Sequence, residues 1–129
     1  MLTGNTLVFD IETIPDTESG SRIYGLEGLS QRDCVKAMRA KRIEKTGKTD
    51  FLAHHLHKIV AISVGLRSPR GFKVWSVGDV QSSEEELLVS FFQGLEKFIP
   101  VLVSWNGSGF DLPVIHYRAL LHSVAAPNY

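Results

Sequence analysis

Short runs of β-branched and aromatic residues predict the strands of this chain. Residues 6–11 form one such run, and successive apolar side chains at positions 7–9 predict a strand covered on both faces. Residues 57–66 and 71–77 predict two more strands. Because the turn between them contains Ser, Pro and Gly, we expect an antiparallel hairpin. Residues 101–104 predict a short fourth strand.

Apolar residues at helical spacing predict two helices in the middle of the chain. Residues 31–48 have only a thin apolar side among many charges, which indicates a largely exposed helix. Ser83 followed by Glu86 is the sequence signature of a capping box. Apolar side chains then recur at helical spacing through residues 87–98, and Pro100 marks the end of this second helix.

The remaining segments complete an α/β pattern. Pro113 suits the first turn of a helix that runs to about residue 122. Residues 14–29 contain one proline and three glycines and predict a surface loop. The order is therefore strand, loop and basic helix, hairpin, helix, strand and helix. A chain of 129 residues with this order predicts one α/β domain with a modest core.

Composition narrows the class of protein. The 14 basic and 14 acidic residues balance, so any attraction to nucleic acid or to a membrane must be local. A single cysteine, Cys34, excludes an internal disulfide and a cysteine-rich zinc site. No apolar stretch approaches the roughly 18 residues of a membrane helix. We expect a soluble, cytoplasmic protein with no membrane partner.

Two acidic residues interrupt the first strand. Asp10 and Glu12 are two positions apart, so the alternation of a strand points both carboxylates to the same side. Adjacent like charges repel each other, and a divalent cation would relieve that repulsion. Carboxylate oxygens are ligands that Mg²⁺ and Mn²⁺ prefer. The alternative is a strand end whose acids simply reach solvent.

A third acid, Asp111, follows the fourth predicted strand. It stands after a glycine-rich loop, residues 106–109, and just before the last predicted helix. Open α/β sheets place their sites at such carboxyl ends of strands. Asp111 could therefore join the first two acids, while the alternative is an ordinary helix N-cap.

The predicted basic helix carries a local excess of charge. Seven cations and two acids between residues 31 and 48 make a net charge of +5. This segment is either a contact for nucleic acid or a solvated helix face. A histidine cluster, His54, His55 and His57, lacks zinc-ligand spacing and predicts a surface or strand-end role. Cys34 has no catalytic partner motif and predicts an ordinary thiol.

Two motifs resemble those of a known enzyme family. Residues 8–13, VFDIET, resemble the first motif of the DEDD-type 3′→5′ exonucleases, and residues 105–113, WNGSGFDLP, resemble the second. The second match is most similar to the proofreading domain of family-B DNA polymerases and its stand-alone bacterial relatives. Residues 57–63, HKIVAIS, resemble the strand between the two motifs in the stand-alone group. The resemblance implies a ribonuclease-H-like fold, with a mixed sheet, an antiparallel three-stranded portion and flanking helices.

The resemblance also implies an activity. The family hydrolyses the terminal phosphodiester at 3′ ends of single-stranded DNA or RNA with Mg²⁺ or Mn²⁺, and we expect DNA to be favoured. It assigns Asp10, Glu12 and Asp111 as catalytic residues and metal ligands. The family site holds two ions, with Asp10 between them. The implied substrate-binding residues are Thr13, Ile14, Asn106 and Phe110, with Ile14 or Trp105 against a base. The basic segment adds Arg39 and Arg42 as candidate contacts to the strand. A core role is an equal alternative for Phe110 and Trp105.

The chain departs from the family after Asp111. The family has a third motif, a Tyr or His followed by a fourth Asp, whereas Asp111 is the last acidic residue here and 18 positions follow it. The general base and one metal ligand are therefore missing. We expect one ion at most and negligible degradation of oligonucleotides. A sheet that is incomplete at the C-terminal side would also leave an edge through which the chain could form a homodimer.

Two other functions are open. The first is a non-catalytic domain of the same fold that binds nucleic acid or a protein. The second is an ATPase of the sugar-kinase type, which would need a glycine-rich phosphate loop after the first strand. Ile14, Pro15 and Asp16 do not supply one.

Overall fold

The computed structural model describes residues 4–128. They form four strands and four α-helices. In chain order these are β1 Thr6–Pro15, α1 Thr17–Tyr24, α2 Gln31–Thr46, β2 His57–Ser68, β3 Gly71–Ser76, α3 Glu84–Phe98, β4 Val101–Val103 and α4 Leu112–Leu121. A 3-10 turn at His54–Leu56 precedes β2, and a π-helical turn at Gly107–Asp111 precedes α4.

The strands form one sheet in the order β3-β2-β1-β4. Strands β2 and β3 pair antiparallel, with Gly65 opposite Val74, so the predicted hairpin is confirmed. Strands β1 and β4 pair in parallel, with Leu7 opposite Leu102. The result is a mixed sheet, and β4 lies at one edge beside the strand that carries the first two acids.

Strand β1 is buried on one face only. Leu7, Phe9 and Ile11 are buried in the main core, which strands share with α3 and α4. Val8 points the other way and is 46% exposed. The prediction of a strand covered on both faces is therefore wrong, because both helices contribute to the core on the same side of β1. Val103, which is opposite Val8 in β4, is exposed as well.

Helix α3 forms as its sequence predicts. The Ser83 hydroxyl accepts from the Glu86 N–H at 3.1 Å, so Ser83 is the N-cap, and the same hydroxyl donates to the Glu86 carboxylate at 3.2 Å. Its apolar side packs into the main core, where the rings of Phe9 and Phe91 lie 5.4 Å apart. The helix ends with Ile99 in the left-handed conformation, directly before Pro100.

Helix α1 lies where a surface loop was expected, so that prediction is wrong. Asp16 caps the helix by accepting from the Ser19 N–H at 3.0 Å, and Gly25 ends it in the left-handed conformation. Gly20 is buried against the sulfur of Met38, and a Cβ there would collide with that side chain. The glycine that indicated a loop is thus a packing residue within a helix.

The chain forms two compact units. Unit A contains the described residues up to Thr13 and from Ile59 onward, and unit B contains residues 14–58. Within unit B the predicted basic helix is confirmed as α2. Its Cys34 and Met38 are buried, together with Leu52 and Leu56, in a small core. The expectation of a single domain stays a prediction.

No helix within residues 4–128 is both long enough and apolar enough to span a membrane. The cytoplasmic location stays a prediction.

Candidate active site

Asp10 and Glu12 lie on the exposed face of β1. Strand alternation buries Phe9 and Ile11 and leaves both acids exposed, as the spacing of the two residues predicts. They share this face with Val8. The two carboxylates are therefore presented to solvent from a strand whose other face is anchored in the core of unit A.

Asp111 reaches the site from the turn that precedes α4. Its side chain makes no capping hydrogen bond, and its backbone is already helical, with φ −57° and ψ −51°. The N-cap alternative therefore does not account for this aspartate. The residue is only 6% exposed. A buried carboxyl group that caps nothing is costly to keep ionised, which is typical of a functional position.

The turn before Asp111 depends on its glycines. A Cβ at Gly107 would collide with the Ser104 hydroxyl, and one at Gly109 would lie 2.6 Å from Asn106 Oδ1. The N–H groups of Gly109 and Phe110 both donate to the Asn106 carbonyl, at 3.2 and 2.9 Å. Two glycines thus let the chain turn tightly around Asn106 and bring the following aspartate to the sheet.

The electrostatics connect Asp111 to β1. Burial raises the pKa of Asp111, and the charge of Asp10 raises it further. Hydrogen bonding with the backbone of Asp111 and Ile11 lowers the same pKa in part. Asp10 and Asp111, which are 101 positions apart in the sequence, are therefore close enough to repel each other. Ile11 is a contributor that no sequence signal could have identified, because its role requires the turn to lie against the strand.

Glu12 does not complete a ready-made metal cluster. Within residues 4–128, no three side chains of His, Cys, Asp or Glu are grouped so as to hold a metal ion. The structure thus brings Asp10 and Asp111 together and places Glu12 on the same strand face as Asp10, without closing a three-ligand set. The donor chemistry, oxygen only, fits Mg²⁺ or Mn²⁺. The metal site stays a prediction.

The other site candidates of unit A have different surroundings. Trp105 is fully exposed, so a core role for it is wrong, and Asn106 is exposed as well. Phe110 is half-buried and packs against the main core, as its alternative interpretation expects. Thr13 is half-buried at the end of this unit's part of β1. Trp105 and Asn106 are therefore the better placed of these residues to meet a ligand.

The remaining candidates belong to unit B. Ile14 is half-exposed, and Arg39 is exposed on α2. Arg42 is partly buried, and its Nε donates to the Phe51 carbonyl at 2.9 Å, so it has a structural contact of its own. His57 Nε2 lies 3.0 Å from the Leu52 carbonyl, which agrees with the strand-end role predicted for the histidines.

A second charged cluster in unit A has no counterpart in the sequence analysis. The buried Glu84 carboxylate accepts from Arg118 Nη2 at 2.7 Å and from the Ile59 N–H at 2.6 Å. His122 Nε2 lies 2.7 Å from the same carboxylate. These contacts join β2, α3 and the end of α4. No motif marked these residues, since Glu84 and Arg118 are 34 positions apart.

Comparison with known proteins agrees with this geometry. Residues 49–129, more than half of the chain, match the family described as "Predicted 3'-5' exonuclease related to the exonuclease domain of PolB". The chain belongs to this family. The mixed four-stranded sheet with four helices is consistent with a ribonuclease-H-like exonuclease fold, so the resemblance and the fold class inferred from the two motifs are confirmed. No curated protein and no solved structure matches the chain.

The family match covers only part of the candidate site. It includes Asp111 and its glycine turn, whereas Asp10 and Glu12 lie before the matched residues. The assignment of the first two acids therefore depends on the first motif, on the alternation of β1 and on the interaction of Asp10 with Asp111.

Proposed function

We propose that this chain is a metal-dependent 3′→5′ exonuclease domain for phosphodiester bonds at 3′ ends of single-stranded nucleic acid, with DNA favoured and with weak activity at most. The observation that carries the proposal is the pair of Asp10 and Asp111. One carboxyl group is buried, the other is close enough to raise its pKa, and no ion pair to either occurs within residues 4–128. A site with excess negative charge and only oxygen donors suits a divalent cation.

Asp10 and Asp111 would hold the ion, and Glu12 would provide a further carboxylate from the same strand face as Asp10. When bound, the ion supplies Lewis acidity and lowers the pKa of water. The residues of the chain position the ion and the substrate. The glycine turn holds Asp111 against β1, while exposed Trp105 offers a ring to the terminal base and Asn106 offers an amide for hydrogen bonding.

A non-catalytic domain that binds nucleic acid is the second candidate. Two observations favour it: the net charge of +5 over residues 31–48, and the lack of a preassembled three-ligand cluster within residues 4–128. The two functions share a ligand and differ in the need for a metal ion.

The first test that distinguishes the exonuclease from the non-catalytic domain is metal binding. Mn²⁺ binding, followed by electron paramagnetic resonance of the free ion, should weaken in Asp10→Asn and Asp111→Asn. Glu85→Gln, which removes an exposed acid of α3 in the same unit, is the matched control and should bind as the parent does. If the parent binds no Mn²⁺, or if both aspartate variants bind it equally well, the metal-dependent proposal fails.

Activity is measured next on an end-labelled single strand with Mn²⁺. Release of mononucleotides should be barely detectable, because no side chain assigned here is a general base, a role worth roughly 10²–10⁴-fold. Whatever release occurs should vanish in Glu12→Gln and persist in Glu85→Gln. Robust, Glu12-dependent release would show that an acid outside the assigned set completes the site.

Salt dependence tests the basic helix. If α2 contacts phosphates, replacing Arg39, Arg42 and Lys45 by Ala should flatten the plot of log affinity against log salt by about 0.7 for each contact that is lost. An unchanged slope would mean that α2 is a solvated helix.

A further inference from the structure

The β2–β3 hairpin and the end of α3 line an open groove of about 520 Å³ in unit A. No function assigned above uses this groove. Three of its side chains are cations, from Arg70, Lys73 and Lys97, and two are half-buried aromatic rings, from Trp75 and Phe98. The residues that line it include neither Asp nor Glu.

The groove is remote from the acids. Asn5 Nδ2 donates to the Phe98 carbonyl at 2.7 Å, so the end of α3 lies beside the start of β1. Asp10 comes five residues later on this extended strand, a separation of about 17 Å at the usual rise of a strand. The end of the groove at Phe98 therefore lies beside the start of β1, whereas Asp10 and Glu12 lie in the middle of that strand.

The cations of the groove are available for a ligand. Within residues 4–128, none of Arg70, Lys73 and Lys97 forms an ion pair with a carboxylate. The chain as a whole is neutral, so three unpaired cations around one groove are a local concentration of positive charge. Such a concentration complements a phosphate backbone.

The aromatic residues narrow the class of ligand. Lys73 Nζ lies 5.5 Å from the centroid of the Trp75 ring, and Lys97 Nζ lies 5.1 Å from that of Phe98. Each ring thus has a cation beside it, so the ring could stack on a base while the cation contacts the phosphate of the same nucleotide. Aromatic rings together with cations are typical of surfaces that bind single strands, because every base has a face that can stack.

We propose that this groove binds a segment of single-stranded nucleic acid, with phosphates at Arg70, Lys73 and Lys97 and a base against Trp75. The proposed function shares this class of ligand, but the groove needs neither the metal ion nor the acids. Binding there would hold a strand beside the start of β1, about 17 Å along that strand from Asp10 and beyond the contacts of the active site itself.

The two tryptophans of the chain allow a direct test. Trp105→Phe leaves Trp75 in the groove as the only indole, and Trp75→Phe leaves Trp105 beside the acid-bearing turn. In EDTA, where no metal-dependent step can occur, adding oligo-dT should quench Trp75. An abasic strand of equal length should quench it much less, since it lacks bases to stack.

A charge variant and its matched control complete the design. The double variant Lys73→Gln with Lys97→Gln should flatten the salt dependence of binding by about 1.4, or 0.7 for each phosphate contact. Arg67→Gln removes a cation of the same hairpin that does not line the groove. Arg67 does not line the groove, and in the strand register it is one position from the pair of Leu66 and Lys73, so its side chain lies on the opposite face of the sheet from that of Lys73. This control should leave the slope unchanged.

Three outcomes would overturn the proposal: no quenching of Trp75, an equal loss of slope in Arg67→Gln, or equally tight binding of polyglutamate, which would indicate an acidic peptide as the ligand. Circular dichroism of each variant establishes that it is folded. The Mn²⁺ measurements test the proposed function separately, so either proposal can fail without the other.

Discussion

Two carboxyl groups of unit A are equally buried and have opposite surroundings. Asp111 and Glu84 are each 6% exposed. Glu84 is surrounded by donors: Arg118 contacts both of its oxygens at 2.7–3.1 Å, and the Ile59 N–H and His122 lie within hydrogen-bond distance. Asp111 has another acid, Asp10, as its charged neighbour.

The difference separates a structural carboxylate from a candidate functional one. The charge of Glu84 is compensated inside the fold. Its carboxylate joins a strand and two helices, and both of its oxygens already have hydrogen-bond partners, so it is not available to a ligand. The charge of Asp111 is offset only in part, by hydrogen bonding with the backbone of Asp111 and Ile11, so it lowers stability and retains the capacity to bind a cation. Burial alone would not have told them apart.

The largest loss of stability is expected when Glu84 loses the arginine that compensates its charge. Arg118→Met should lower the free energy of unfolding by about 3–5 kcal/mol, because it leaves the Glu84 charge buried without its main partner. Urea unfolding measures this loss. The double variant Glu84→Gln with Arg118→Met should recover much of it.

The matched control for that variant is an exposed ion pair. Arg22→Met breaks the contact of Arg22 with Glu18, whose side chains are 76% and 77% exposed, and should change stability by about 0–1 kcal/mol. Equal losses in Arg118→Met and Arg22→Met would show that the buried cluster is not a compensated charge.

A smaller effect of opposite sign is expected at Asp111. Asp111→Asn should raise the free energy of unfolding at neutral pH by about 0.5–2 kcal/mol, because it removes a buried charge that Asp10 repels. It should weaken Mn²⁺ binding at the same time. Asp50→Asn, at an exposed position, is the control and should do neither. A stability loss in Asp111→Asn without any change in Mn²⁺ binding would show that Asp111, like Glu84, is a structural carboxylate.

The smallest effect is a pH dependence with a defined sign. The pKa of Asp111 is higher in the folded state than its usual value near 4, because of burial and Asp10. The folded state therefore binds this proton more tightly than the unfolded state does. The contribution of Asp111 to stability is present below the usual pKa and is lost as the pH rises through the raised folded value.

Urea unfolding of the parent and of Asp111→Asn over a pH series isolates this term, since the other carboxyl groups are common to both proteins. The parent should gain stability relative to the variant as the pH falls through that window. A constant difference between the two would mean that Asp111 does not have a raised pKa.

Local sequence patterns determined much of the fold of unit A. The alternation around Phe9 and Ile11 put Asp10 and Glu12 on one face of β1, because the period of a strand is a property of the backbone. Ser83 determined where α3 begins, since its hydroxyl satisfies the N–H of Glu86 within the first turn. The two motifs were enough to indicate the exonuclease family. All of these signals act over a few residues.

Only the tertiary structure decided what depends on distant partners. Gly20 packs against Met38, which is 18 positions later, so it is a packing residue of α1 and not a sign of a loop, and no local signal could have shown that contact. The same holds for the two buried acids. From the sequence alone, Asp111 could not be told from a helix N-cap, and Glu84 could not be told from any acid in the first turn of a helix. Long-range contacts gave one an acidic neighbour and the other an arginine, because the charge that surrounds a buried carboxylate is set by whichever elements pack against it.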